Sequence, residues 1–141
     1  MQKGIILLID YGFPRDVYYH PDRSIMCHYQ QLAHTDPFLY PGLQDITAHV
    51  DFTAIAESAF KAELDILGFT TQASFLLSVG LLNLAKESYR EDEIFNFNLN
   101  KAIQIFTSPS EMGEIFKVIA LSRGIETDLL GFGLSNRVNS L

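Results

Sequence analysis

Hydrophobic positions open the chain in one unbroken block. Ile5 to Ile9 are five aliphatic residues, closed by Gly4 on one side and by Asp10-Tyr11-Gly12 on the other. A glycine-bounded, isoleucine-rich run of this length predicts a strand buried on both faces; a buried helix segment is the rival, for which five residues are short. Asp10-Tyr11-Gly12 then sits at the carboxyl end of the strand, the edge where open α/β sheets bind ligands. A plain strand whose Asp10 caps a turn fits the spacing as well. From Phe13 to Val50 neither a helical nor a strand period appears. This stretch holds four of the five prolines and all four histidines. It is too aromatic for disorder, so an ordered loop insertion (residues 13–50) over the mouth of the first strand is expected. A short helix at Cys27 to Leu32 is expected within it.

The helical period begins at Asp51, an N-cap type. Phe52, Ile55, Ala56, Ala59 and Phe60 make a core-facing stripe, which predicts a helix from Phe52 to Glu63. Leu64 to Phe69 reads as a second strand, so strand, helix and strand make a βαβ-type unit. Thr70 or Thr71 caps a helix from Gln72 to Glu87 that is apolar nearly all round and expected to be buried. A further helix is predicted from Asp92 to Phe106. Ser108-Pro109-Ser110-Glu111 combines a capping box with an N1 proline and predicts a short helix starting there. Phe116 to Leu121 is the third strand, Leu129 to Leu134 a short pairing segment, and Ser135 to Leu141 a loosely held tail. The fold class expected is α/β, with three main strands, covering helices and the long insertion.

Composition narrows this picture. The 141 residues carry a net charge of −7 with a pI near 4.9, and no basic patch stands out, which argues against nucleic acid as partner. Cys27 is the only cysteine, so no internal disulfide forms, and a reducing, cytoplasm-like compartment is the default. No stretch matches a secretory signal or a membrane span. The histidine spacings of 8, 6 and 15 match no compact metal motif, and no glycine-rich dinucleotide or phosphate loop is present. Cys27 as a nucleophile with a histidine base needs geometry that a sequence does not hold. The densest polar cluster is Asp36, Gln44, Asp45, His49 and Asp51. It suits either a grip on a cationic group or local hydrogen bonds to loop backbone.

Several segments carry a resemblance. Ile9-Asp10-Tyr11-Gly12, Tyr18-Tyr19-His20-Pro21, Ala33-His34-x-Asp36-Pro37-Phe38 and Pro41-Gly42-x-Gln44-Asp45-Ile46-Thr47-Ala48-His49-Val50-Asp51-Phe52 are similar to the MidA-like S-adenosylmethionine-dependent methyltransferases. Gly68-Phe69-Thr70-Thr71-Gln72-Ala73-x-Phe75-Leu76-Leu77 and Glu111-Met112-Gly113-Glu114-x-Phe116-Lys117-Val118 continue the resemblance in order, over nearly the whole chain. It implies a class I methyltransferase fold, with the opening strand as the fifth of seven and the last strand antiparallel. It implies S-adenosylmethionine as cofactor and a protein substrate methylated on arginine, a respiratory complex I subunit in the mitochondrial relatives. The compartment implied is the bacterial cytoplasm or the mitochondrial matrix.

The chain departs from that family in one large respect. The glycine-rich loop, the ribose-holding acid and the Asn-Glu-Phe segment of the family's front half are missing. No cofactor-binding residue is therefore assigned, and the chain reads as a single partial domain, the carboxyl-terminal portion, lacking the half that binds S-adenosylmethionine. Burying one aliphatic side chain contributes ~1.5–3 kcal/mol, against ~5–15 kcal/mol for a whole domain. An Ile5–Ile9 strand lacking half its covering makes the chain marginal, self-associating or dependent on the other half of a split enzyme. Asp10, Tyr11, His34, Asp36, Asp45 and His49 are the substrate-positioning candidates, with a general base among them an open question. The alternative is a non-catalytic remnant or protein-binding module that uses the insertion.

Overall fold

A computed structural model of the chain describes residues 2–18 and 25–141. Tyr19, His20 and Pro21 of the aromatic patch fall outside the described residues. The elements in order are β1 (Gly4–Phe13), α1 (Arg15–Tyr18), β2 (Ile25–Tyr29), β3 (Leu32–His34), β4 (Asp45–Ala48), β5 (Val50–Asp51) and α2 (Phe52–Lys61). They continue with β6 (Asp65–Thr71), α3 (Gln72–Ser78), α4 (Leu81–Ser88), α5 (Glu93–Thr107), α6 (Met112–Ile115) and β7 (Phe116–Arg123). Two 3₁₀ turns, Leu130–Phe132 and Val138–Ser140, close the chain.

The main sheet has the order β5-β1-β7-β6. Strand β7 runs antiparallel to both β1 and β6, so those two run parallel to each other with the last strand inserted between them. This is the mixed α/β architecture expected, with an antiparallel final strand. On one face α2 lays Phe52 and Ala59 over Phe69, Ile119 and Leu121, with Val138 and Leu141 closing that side. Its N-cap Asp51 accepts the Ala54 N–H at 3.0 Å, satisfying one of the orphan donors of the first turn. On the other face Val118 and Ala120 pack with Phe132, Phe75 and Leu129.

Burial is concentrated on β7, and this corrects the reading of β1. Ile6 and Leu8 stand opposite Leu121 and Ile119 on the α2 face; Ile5, Leu7 and Ile9 stand opposite Ser122, Ala120 and Val118 on the other. All five keep 37% to 50% of their surface exposed. The two core clusters draw their members from α2, β6, β7 and the segments packed on them, and none from β1.

The insertion is also more regular than expected. It contains a small antiparallel sheet of order β3-β2-β4. Cys27 lies in its middle strand, paired with His34 and Ile46 and fully buried, so the stretch expected as a helix is half of a β-hairpin. Gln30 and Gln31 both take positive φ, 48° and 68°, which is the backbone of a two-residue hairpin turn.

Five further expectations are corrected. The helix from Gln72 is two helices, broken where Gly80 takes φ 89°, and it is not buried all round: Leu82 and Leu84 are exposed. Phe60, expected in the α2 stripe, is exposed too. The helix expected from Ser108 begins only at Met112, because the Ser108 carbonyl takes the N–H groups of Glu111 and Gly113 in a turn first. Leu129 to Leu134 forms no strand, and its Phe132 plugs the core from a 3₁₀ turn. The tail is held: Arg137 N–H donates to the Phe69 carbonyl at 2.6 Å and Asn136 Oδ1 accepts the Phe69 N–H at 3.2 Å.

Candidate active site

The carboxyl end of β1 is built by two registers. Parallel pairing sets Gly12 against Val50 and Phe13 against Asp51, which brings His49 beside the strand end. Antiparallel pairing sets Tyr11 against Phe116 and Asp10 against Lys117. Gly12 is required by the first of these. A Cβ there would lie 2.9 Å from the backbone N and C of Val50, and nearer still to its carbonyl oxygen.

The rings then gather. His49 meets Tyr11 edge-on at 5.7 Å and Phe13 at 5.2 Å between centroids, and Tyr11 meets Phe116 at 5.4 Å. Beside them opens a cleft of about 640 Å³. Phe13, Val17, Met26, Phe69 and Ile115 give it an apolar wall. Asp16, His49, Glu114, Lys117 and Arg137 give it polar atoms. A mostly apolar concavity with a few convergent polar groups is the ordinary form of a ligand site.

Lys117 is its most unusual member, and sequence reasoning missed it. The residue is only 6% exposed. Its ammonium donates to the backbone carbonyls of Glu114 and Ile115 and lies 5.1 Å from the Phe13 ring centroid. Burial pushes its pKa below the usual lysine value; Glu114 opposes that shift and Arg137 adds to it. Arg137 in turn bridges to Glu114 at 3.0 Å. The available signal was a lone lysine beginning an otherwise apolar strand.

Arg15 is a second residue that the sequence did not single out. It reaches Asp51 at 3.2 Å and grips both oxygens of Glu57, at 2.6 and 3.0 Å. Its backbone N–H donates to Thr53 Oγ1 at 2.9 Å, so α1 is clamped to the start of α2. The Arg15 hydrogen bonds hold the Glu57 carboxyl below its usual range and raise Arg15 itself further.

The six candidates divide into two groups. Tyr11 and His49 meet at the β1 end, and His49 Nδ1 is buried with no hydrogen-bond partner among the described residues. Asp10 lies on the same strand, where its Oδ1 accepts the N–H of Tyr11 at 2.8 Å. His34, Asp36 and Asp45 belong to the small sheet and its loop. Asp36 accepts the Phe38 N–H at 2.9 Å, and Asp45 accepts the Thr47 hydroxyl at 3.0 Å. His34 stands edge-on to Tyr40, which stacks on Tyr29 at 4.2 Å, and neither of its ring nitrogens finds a partner among the described residues. Among the described residues no three His, Cys, Asp or Glu side chains gather to hold a metal, and no helix is long and apolar enough to cross a membrane.

The carboxyl end of a strand is where open α/β sheets bind their ligands, and the cleft of this mixed α/β chain lies there. Residues 1–70 match the family described as "Putative S-adenosyl-L-methionine-dependent methyltransferase". No curated protein matches the chain. Two solved structures from Burkholderia thailandensis are similar to it at 48% identity and a TM-score of 0.90. One, described as an "uncharacterized ACR" superfamily protein, is matched over 99% of this chain and 38% of its own. The other, described as a "likely methyl transferase" bound to S-adenosyl-homocysteine, is matched over 98% of this chain and 36% of its own. The chain thus spans little more than a third of the length of these relatives.

Proposed function

We propose that this chain forms the acceptor side of an S-adenosylmethionine-dependent methyltransferase whose acceptor is a protein arginine. The observation that carries the reading is the overlay of 98% of the chain, at TM-score 0.90, on the relative bound to S-adenosyl-homocysteine. That ligand is what the donor becomes once its methyl group has left. An arginine acceptor is supported by the net charge of −7 and by the aromatic side chains Phe13 and Phe69 in the cleft wall, on which a guanidinium can stack. The resemblance to MidA-like enzymes points to a respiratory complex I subunit as the protein. The single cysteine, Cys27, suits a reducing compartment such as the bacterial cytoplasm or the mitochondrial matrix.

The residues of this chain do not by themselves fit the donor. Among the described residues no glycine-rich turn opens a helix for it. The carboxylates of Asp10, Asp36 and Asp45 already accept local hydrogen bonds. Donor binding therefore falls to a further polypeptide segment, and the chain alone is expected to be inactive. What this face contributes is acceptor geometry. Phe13, Val17, Met26 and Phe69 exclude water from the acceptor nitrogen, which has to be neutral to attack a methyl group. His49, which lines the cleft and whose buried Nδ1 has no partner among the described residues, is our candidate to receive the proton that the nitrogen sheds.

The test is reconstitution. The chain is co-expressed with the part of the Burkholderia thailandensis relative that lies outside the matched segment, and labelled methyl transfer to protein is measured. Transfer by the pair, absent from either alone and found on arginine, is the expected result. No transfer by an assembled pair sinks the reading, and methyl found on another side chain sinks the arginine assignment alone. A second reading is favoured by Leu32, Phe38 and Leu43, all highly exposed on the insertion: a module that holds a protein without modifying it. An assembled pair that binds protein yet stays inactive supports that one.

A further inference from the structure

Among the described residues Lys117 is the only charged side chain that is buried, at 6% exposure. Burying an ammonium is unfavourable unless its donors are met, and here burial already favours the neutral form. An apolar side chain of similar length would fill the same space without that cost, so the partners of the ammonium are informative. The carboxylates beside it are engaged elsewhere. Asp10, its neighbour across the β1–β7 pair, accepts the Tyr11 N–H, and Glu114 bridges to Arg137. What the ammonium meets instead is backbone and a ring. It donates to the carbonyls of Glu114 and Ile115 at the end of α6, the latter at 3.5 Å. It stands over the Phe13 ring, 5.1 Å from the centroid. An ammonium has three N–H donors, and these three partners leave none for an anion. The lysine thus acts as a fastener that joins the start of β7, the end of α6 and the last residue of β1.

Phe13 is the link from this fastener to the chemistry. It lines the cleft, and its ring meets His49 at 5.2 Å with the planes inclined at 42°. His49 Nδ1 is buried and has no partner among the described residues, so no hydrogen bond at that nitrogen fixes the imidazole. Its orientation rests on the rings around it, Phe13 and Tyr11. Tyr11 is backed by Phe116, and Phe13 is backed by the Lys117 ammonium. We infer that Lys117 is a positioning residue for the cleft, holding the Phe13 ring against His49 and so setting the direction in which the imidazole faces the acceptor. The inference rests on the reading above for the reaction alone; the link from Lys117 through Phe13 to His49 is testable in this chain by itself.

The test begins with nuclear magnetic resonance of the 141-residue chain. Lys117→Met keeps the length of the side chain and removes its charge and donors. Cross-peaks between the ring protons of Phe13 and His49 are expected to be lost, while those between Phe52 and Phe69, whose rings lie 5.3 Å apart in the core, are retained. Phe13–His49 cross-peaks that persist overturn the inference. So does loss of both sets together, which would make the lysine a support of the whole core. Phe13→Leu approaches the contact from its other end. The ε-methylene protons of Lys117, shifted upfield by the ring, are expected to return to ordinary lysine values, and unmoved protons overturn the inference whether or not Lys117→Met folds. In the reconstituted pair each single variant is expected to lower kcat for methyl transfer by up to about 10²-fold. The double variant should fall no further than the worse single one, because both break the same link. Losses that multiply, or full activity in Lys117→Met, overturn the positioning role. A parent pair without transfer removes the functional reading, and the cross-peaks in the chain then decide the link.

Discussion

Gly12→Ala tests the construction of the site directly. The glycine is not needed for a left-handed backbone; it is needed because the strand crosses Val50 at close range. A Cβ at 2.9 Å from Val50 N and C must retreat by roughly 0.5–1 Å to reach ordinary carbon contact. Inserting a methyl group into a packed position costs about 1–3 kcal/mol. The damage does not stop there, because β5 is only two residues long and leads straight into Asp51, the cap of α2. If β5 yields, the cap and its bond to Ala54 are disturbed as well, adding about 1 kcal/mol. A total of roughly 2–4 kcal/mol is a large part of the ~5–15 kcal/mol a domain possesses. At about 2–4 °C per kcal/mol for a chain of this size, melting should fall by roughly 5–15 °C. The same movement carries His49 away from Tyr11 and Phe13, so its imidazole proton resonances should lose their ring-current shifts. A variant that melts within a degree of the parent, with unmoved His49 resonances, would refute the claim that close approach at Gly12 assembles this site.

Three further outcomes are expected. In the reconstituted pair, His49→Ala should lower methyl transfer by about 10²–10⁴-fold, whereas Asp45→Ala, whose carboxylate is spent on Thr47, should change it little; equal losses would contradict the division of the candidates into two groups. Lys117 gives up its proton at lower pH in the folded chain than in the unfolded one. The unfolded chain therefore binds more protons between the two values, and the stability tied to Lys117 rises with pH through that window up to 10.5. Urea unfolding between neutral and alkaline pH should accordingly show the parent gaining on Lys117→Met as pH rises, and parallel curves would show that burial does not perturb this lysine. His34→Leu removes two ring nitrogens that have no partner and should be neutral or stabilising by up to about 1 kcal/mol in the urea midpoint; a loss of several kcal/mol would mean that the imidazole is bonded.

What the sequence disclosed and withheld follows from the range of the forces involved. The aliphatic run Ile5–Ile9 announced a strand because local composition sets strand propensity, but it could not say what covers the strand. Exposure on both faces is a property of the neighbours, not of the run. The small sheet was missed because its hairpin turns through Gln30-Gln31, without the Asn-Gly or Asp-Gly that normally marks a positive-φ pair. Gly80 is a legible break in the helical pattern, and its φ of 89° ends one helix and opens the next. The tail was beyond reach: two bonds to the backbone of Phe69, from Asn136 and Arg137, decide its position, and no local pattern encodes a partner so distant in sequence. Of the candidate site, Tyr11 and His49 were legible because each flanks an element end. Lys117 was not, because a lysine at a strand start looks solvated until the cleft is seen around it.

Two strand registers build the end of β1 that borders the cleft. Strand β7 returns antiparallel and places Lys117 opposite Asp10, and β5 runs parallel and places His49 beside Tyr11; both registers converge on the last residues of β1. In the seven-stranded sheet that the resemblance implies, a parallel neighbour along Gly4 to Ile9 would also end there, in line with β5, so its own carboxyl-end loop would face the ring cluster. Ligand sites in open α/β sheets form between such loops. The apolar run that leaves the isolated chain with uncovered surface is therefore what would carry the second wall of the site into place. Leu7→Lys should then reduce methyl transfer by the reconstituted pair without any change to a residue of the cleft, and undiminished transfer would contradict that role for the strand.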